Sequence, residues 1–219
     1  VKPQDGMDLQ LTIDINIQKS VERELDNVVN MMNPDMALAV VMNPKTGEVL
    51  AMSSRPTFDP NNYKNYSSEV LSRNLPIWAS YEPGSTQKII TTAASIEEKV
   101  IDIYNEHFFD SGGVTVDGAR IRCWKAGGHG DQTFLQVLQN SCNPGFVLMG
   151  ERLGKEKLFS YLDLLGFGQK TGIDLNGEGK GIIFPLSRVG NVELATTAFG
   201  QGISVTPIQQ ITAISAVLN

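Results

Sequence analysis

At Tyr81-Glu82-Pro83-Gly84 the chain is forced to turn, and the residues that follow, Ser85-Thr86-Gln87-Lys88 and Ile89 to Lys99, hold no further breaker. A helix therefore starts abruptly here, with Ser85 and Lys88 in its first turn. Positions three apart share a helix face, so the hydroxyl of Ser85 and the amine of Lys88 are able to meet. An alcohol is a weak nucleophile until a base takes its proton, and an amine can be that base only when uncharged. Taken alone, the same residues also describe a serine N-cap followed by a solvated lysine, the commoner use of such a spacing.

The chain has 219 residues, 41% of them hydrophobic, enough for one large domain or two small ones. A formal net charge of −6 with no basic run argues against nucleic acid as a partner. No stretch approaches the ~20 apolar residues that cross a bilayer. The polar start Val1-Lys2-Pro3-Gln4-Asp5 does not read as a signal peptide, and without an initial Met the chain reads as a piece of a longer protein. Two cysteines, Cys123 and Cys142, make neither a disulfide framework nor a zinc site. His107 and His129 are far apart in sequence and lack Cys or carboxylate neighbours, so no metal and no cofactor is expected. Asp102, Glu106 and Asp110 read as a loose, solvated acidic run, and no glycine cluster has phosphate-loop spacing.

The hydrophobic pattern is mixed α and β, without repeats or a linker that would divide the chain. Leu9 to Ile13 alternates like a short strand, and Asp14 then caps a helix carrying Ile17, Val21, Leu25 and Val28. Ala37–Met42 and Glu48–Met52 read as strands joined by the turn Asn43-Pro44-Lys45-Thr46-Gly47. Arg55 to Asn74 reads as a polar loop. Asp117-Gly118 turns a second hairpin between Val114-Thr115-Val116 and Ala119-Arg120-Ile121. After Gly127-Gly128-His129-Gly130 the chain becomes helical through Phe134 and Leu138, and Pro144 and Thr206-Pro207 open later helices.

Asn140-Ser141-Cys142-Asn143-Pro144 adds a second chemical element. Ser-x-Asn at a helix–helix junction can set a hydroxyl and an amide side by side, though a simple cap on the helix at Pro144 uses the same residues. Ser85-x-x-Lys88 followed by Ser141-x-Asn143 resembles the first two signatures of penicillin-binding proteins and serine β-lactamases. The likeness continues through Asn43 to Met52, Tyr81 to Gly84, Gly166 to Leu175 and Phe199 to Pro207, which look like class B penicillin-binding transpeptidases in family order. Cys123-Trp124-Lys125, Gly127-Gly128-His129-Gly130 and Arg188-Val189-Gly190 look most like a sporulation-specific branch.

The resemblance implies an α/β fold of the α+β type, a mostly antiparallel sheet packed with helices. It also implies a peptidoglycan D,D-transpeptidase acting on D-Ala-D-Ala stem peptides and blocked by penicillins and other β-lactams. Ser85 would be the nucleophile, Lys88 its base, Ser141 a proton shuttle, and Asn143 a holder of the substrate backbone. For Lys88 to be neutral, burial and the helix N-terminus must lower its pKa from ~10.4 by about three units, which costs roughly 4 kcal/mol. The parent protein would be extracytoplasmic, membrane-anchored and partnered with cell-wall synthesis proteins. A serine β-lactamase or a β-lactam-sensing domain would share the first two motifs.

Two departures stand out. Gln87 occupies a position where the family usually has Phe, and at i+2 it points away from the nucleophile's face. The third family signature, Lys-Thr/Ser-Gly, is spelled by Lys45-Thr46-Gly47 and by Lys170-Thr171-Gly172, but both read as turns. The 1–219 chain is therefore read as a single transpeptidase domain truncated before its third motif and C-terminal strands, and as nearly inactive by itself. Cys142, inside Ser-x-Asn, reads as a small buried filler or as one half of a redox pair with Cys123.

Overall fold

Helix α1 (Ile15–Met32) begins where the Asp14 carboxylate accepts the backbone N–H groups of Asn16 and Ile17 at 2.8 and 3.1 Å. The computed structural model describes residue 4 and residues 6–219, which fall into two units, one ending at Pro76 and one running from Ile77 to Asn219.

In the first unit, β1 (Ala37–Met42) and β2 (Val49–Arg55) pair antiparallel about the Asn43–Gly47 turn. Lys45-Thr46-Gly47 forms part of that turn, as expected. Gln18 of α1 treats β2 as a neighbouring strand would: its Nε2 donates to the Met52 carbonyl at 3.0 Å and its Oε1 accepts the Met52 N–H at 2.9 Å. β2 runs past the apolar stretch to Arg55, which is held by Asp26 at 2.7 Å. The alternation at Leu9–Ile13 does not become a strand. A period of two makes a strand only where one face is covered, and Leu9 and Leu11 both stay exposed. The expected loop after Arg55 holds a 3₁₀ turn (Pro60–Asn65), started by the Asp59 side chain, and α2 (Ser68–Ser72), started by that of Ser67. The one-turn α3 (Leu75–Trp78) follows, beginning in this unit and ending in the next.

The second unit is built around α6 (Asn143–Leu164), which packs against α4 (Lys88–Glu97) and α7 (Asn191–Thr197). Ile90 and Ala94 of α4, Leu158 and Leu162 of α6, and Ala213 of α8 (Pro207–Leu218) share one buried cluster. Phe134 and Val137 of α5 (Phe134–Gln139) meet Phe146, Met149 and Phe199 in another. Each of the larger of these side chains contributes about 1.5–3 kcal/mol by leaving water, so the two ends of α6 are fixed firmly against their neighbours. The second hairpin forms as expected, β4 (Gly113–Val116) with β5 (Ala119–Arg122).

One pair is new: β3 (His107–Asp110) with β6 (Gly130–Thr133), also antiparallel. The shortness of both strands and the polar sequence of β6 hid it, and with it the position of Asp110, which is buried rather than solvated. No helix among the described residues is long and apolar enough to cross a membrane.

Candidate active site

Ser85 lies in a 3₁₀ turn (Gly84–Gln87) that runs directly into α4. Two backbone anchors hold this turn. Tyr81 and Val205 exchange hydrogen bonds of 3.0 and 2.9 Å, and Gly84 N–H donates to the Gly200 carbonyl at 2.8 Å. The segment Phe199-Gly200-Gln201-Gly202 is therefore the floor on which the turn carrying Ser85 rests.

Lys88 begins α4 and is only 2% exposed. Its Nζ donates to the Ser141 carbonyl at 2.9 Å, the Ser141 Oγ at 2.9 Å and the Asn143 Oδ1 at 2.6 Å, and lies 5.1 Å from the Phe146 ring centre. Ser141 Oγ in turn donates to Ser85 Oγ at 3.0 Å. All four residues of the two motifs are thus assembled, with one difference from the simple picture of a shared helix face. The lysine reaches Ser85 through the hydroxyl of Ser141, not directly. Burial lowers the Lys88 pKa to about 8, with the nearby Cys142 and Cys123 pulling the other way.

Ser141 sits in the left-handed region, at φ +52°. A non-glycine residue there carries strain of roughly 1–3 kcal/mol, kept only where its surroundings over-determine it. Lys88 does so by binding both oxygens of the residue, while the α5 and α6 ends hold it from either side: Ser141 N–H donates to Leu138 O at 3.0 Å, and Asn143 begins α6. Asn143 also turns its Nδ2 toward the Arg122 carbonyl at 3.5 Å, at the end of β5.

Gln87 is fully buried, and neither its amide oxygen nor its nitrogen has a hydrogen-bond partner in the protein. A buried, unpaired amide costs about 1–3 kcal/mol. Gln87→Leu is therefore expected to raise the unfolding free energy by about 1 kcal/mol, readable as an increased denaturation midpoint, with Ser85 chemistry retained.

The two cysteines are free thiols, both buried. Contrary to the sequence reading, His129 does have Cys and carboxylate neighbours. The β3–β6 pairing and the glycine-rich turn before His129 bring together Asp110, Cys123, His129 and Cys142, whose ligand atoms all lie within 4.8 Å of one another. Burial alone would raise the Asp110 carboxyl. Hydrogen bonds from Cys123, the Gly112 N–H and His129 outweigh it and hold the group well below the usual carboxylate range. Burial also pushes the Cys123 thiol up and the Cys142 thiol up to about 12. Sequence reasoning missed Asp110. The available signal was Cys123 and His129 flanking a Gly-Gly turn that folds the chain back.

Lys170-Thr171-Gly172 is gathered onto Glu178, whose Oε1 accepts both the N–H and the hydroxyl of Thr171 at 2.6 Å while Oε2 accepts the Gly172 N–H at 3.2 Å. That supports the reading as a loop.

Residues 37–219 match the penicillin-binding protein transpeptidase domain. Stage V sporulation protein D of Bacillus subtilis is 63% identical over 99% of this chain and 34% of its own length. The peptidoglycan D,D-transpeptidase FtsI of Escherichia coli is 31% identical over 94% of the chain and 34% of its own length. The chain thus spans about a third of the length of these curated relatives. Penicillin-binding protein 3 of Mycobacterium tuberculosis, solved in complex with aztreonam, superposes with a TM-score of 0.86 at 31% identity, over 94% of this chain and 46% of that one. The chain belongs to the penicillin-binding protein transpeptidase domain family.

Proposed function

We propose that this chain is the acylating part of a peptidoglycan D,D-transpeptidase of the sporulation branch. The observation that carries the reading is the hydrogen-bonded line from Lys88 Nζ through Ser141 Oγ to Ser85 Oγ, 2.9 and 3.0 Å long. Ser85 attacks the carbonyl of the penultimate D-Ala of a stem peptide. Its proton passes to the Ser141 oxygen as the Ser141 proton passes to neutral Lys88; the Ser141 hydroxyl then gives a proton to the departing D-Ala amine and is reprotonated by the Lys88 ammonium. Asn143 holds the peptide backbone. The Ser85 N–H at the start of α4 is one donor to the oxyanion, and a stem-peptide amine then resolves the acyl-enzyme. A β-lactam acylates the same serine. In this proposal the parent protein works outside the cytoplasm, held at the membrane and alongside other cell-wall synthesis proteins.

The test uses the full-length protein with labelled penicillin and, separately, a peptide ending in D-Ala-D-Ala. A persistent adduct together with D-Ala release supports the proposal. Rapid loss of the adduct means a β-lactamase, and a persistent adduct without peptide turnover means a sensor.

The Cys123–Cys142 pair is also proposed as redox-sensitive. Joining the two sulfurs requires them to close to about 2 Å, which would move Cys142 and with it Ser141 and Asn143. Labelling by penicillin is expected to be weaker in oxidised protein and restored by dithiothreitol. Equal labelling in both states contradicts the pairing.

A further inference from the structure

Beside Asn143, strand β5 carries two arginines that meet no opposite charge. Arg120 and Arg122 are the exposed positions of the strand, two apart and so on one face. Across the hairpin they face Thr115 and Gly113, neither of which is charged. Among the described residues neither arginine pairs with a carboxylate, although the chain carries a net charge of −6. We propose that Arg120, Arg122 and Trp124 form a subsite for a carboxylate-bearing residue of the donor stem peptide, upstream of its D-Ala-D-Ala end. The inference rests on the transpeptidase reading and adds to it what the protein selects in the peptide beyond the two D-Ala residues.

Place is the first reason. Asn143, which holds the peptide backbone in that reading, turns its Nδ2 toward the Arg122 carbonyl at 3.5 Å, while its Oδ1 accepts from Lys88 at 2.6 Å. One side chain therefore separates the end of β5 from the lysine that serves Ser85. Only one residue of the donor lies beyond the bond that Ser85 breaks. A chain that extends from Ser85 past Asn143 to β5 is therefore the upstream part of the peptide.

Charge is the second. Like charges on one strand face repel, and Gly113 leaves room on this face. Arg120 Nη2 lies 3.5 Å from where a Cβ on Gly113 would stand, so this guanidinium leans toward the residue opposite Arg122. Two planar forks of N–H donors on one face match the oxygens of a carboxylate, and an anion between them relieves their repulsion. A protein of net charge −6 repels an acidic peptide as a whole, so the charge that recognises one has to be local.

Trp124 is the third. Its side chain is held in place although the residue is 68% exposed: the indole N–H donates to the Asn140 carbonyl at 2.8 Å, and the ring meets that of His129 edge-on, 5.4 Å between centres. A large ring fixed in water is a ready platform, because it loses little freedom when a ligand covers it. It follows Arg122 by two residues, where its face can cover the aliphatic stem of a side chain whose carboxylate the arginines take.

The test is the first turnover of full-length protein, read as D-Ala released from two synthetic pentapeptides. Both end in D-Ala-D-Ala with a free C-terminus, and both have their amines acetylated so that neither supplies an acceptor. One has its upstream carboxylates free and the other has them as amides. Below saturation the free acid is expected to react about tenfold faster, the effect of one charge-assisted contact. In Arg122→Ala, and in the double variant Arg120→Ala with Arg122→Ala, that ratio should fall to about one. Arg122→Lys, which keeps the charge without the fork, should restore part of it. Trp124→Ala should slow both peptides roughly threefold; no slowing overturns the place given to Trp124. Lys19→Ala, which removes an exposed cation from α1, should leave the ratio unchanged. Equal rates for the two peptides on the unsubstituted protein overturn the subsite while leaving the transpeptidase reading in place, as does a preference undiminished in the double arginine variant. Release of D-Ala from neither peptide overturns that reading and the subsite with it. Should an arginine variant fail to fold, the two peptides on the unsubstituted protein still decide.

Discussion

Lys88→Met is expected to slow acylation of Ser85 by penicillin about 10²–10⁴-fold, the usual contribution of a positioned general base. Methionine keeps the length and apolar stem of lysine but can neither take nor relay a proton. A relay through the Ser141 hydroxyl predicts that Ser141→Ala costs a comparable factor. The double variant should be little worse than either single one, since both break the same path. The pH profile carries the sign of the lysine's role. With a pKa lowered by burial to about 8, Lys88 is mostly protonated at pH 7 and mostly neutral at pH 9. Acylation should therefore rise about tenfold between those values and then level off. A rate independent of pH over that window, or falling through it, would contradict Lys88 as the base.

Gly200→Ala should be damaging although residue 200 touches no substrate in this account. Gly200 has φ +86°, and a Cβ there would run into the carbonyl and backbone of Gly84, the residue before Ser85. Neither side can yield easily, because backbone meets backbone. The expected result is a loss of roughly 1–3 kcal/mol in stability and about 10²-fold in acylation, the penalty of displacing a nucleophile by about 1 Å. Gly166→Ala is the control. Its φ of +85° gives similar backbone strain, but no atom lies within 4 Å of the added carbon, so stability should fall while acylation of the folded protein holds. Equal acylation by the Gly200 and Gly166 variants would mean that the Phe199–Gly202 segment does not position Ser85.

Much of the frame was legible because local chemistry and long-range packing agree. Asp14 caps α1, Asn43–Gly47 and Asp117-Gly118 turn hairpins, and Thr206-Pro207 opens α8, each by interactions within a few residues. The motif residues Ser85, Lys88, Ser141 and Asn143 were legible by their spacing, and the fold brings their side chains together. What spacing could not supply was the order of contacts: that the lysine bonds Ser141 rather than Ser85 depends on the α5–α6 junction, where Ser141 lies 53 residues from Lys88 along the chain. Asp110 was misread for a related reason. A carboxylate beside other acidic residues looks solvated until β3 pairs with β6 and turns it inward onto His129 and two thiols. The Leu9–Ile13 strand failed the other way, with a good local pattern and no surface to cover it.

The central claim is that Ser85 is the nucleophile, and mapping a penicillin adduct tests it most directly. Full-length protein is labelled to completion, digested, and the modified peptide sequenced by mass spectrometry. One adduct on Ser85 is the expected result, absent from Ser85→Ala. A modified peptide elsewhere in the chain, or an undiminished adduct in Ser85→Ala, would contradict the account.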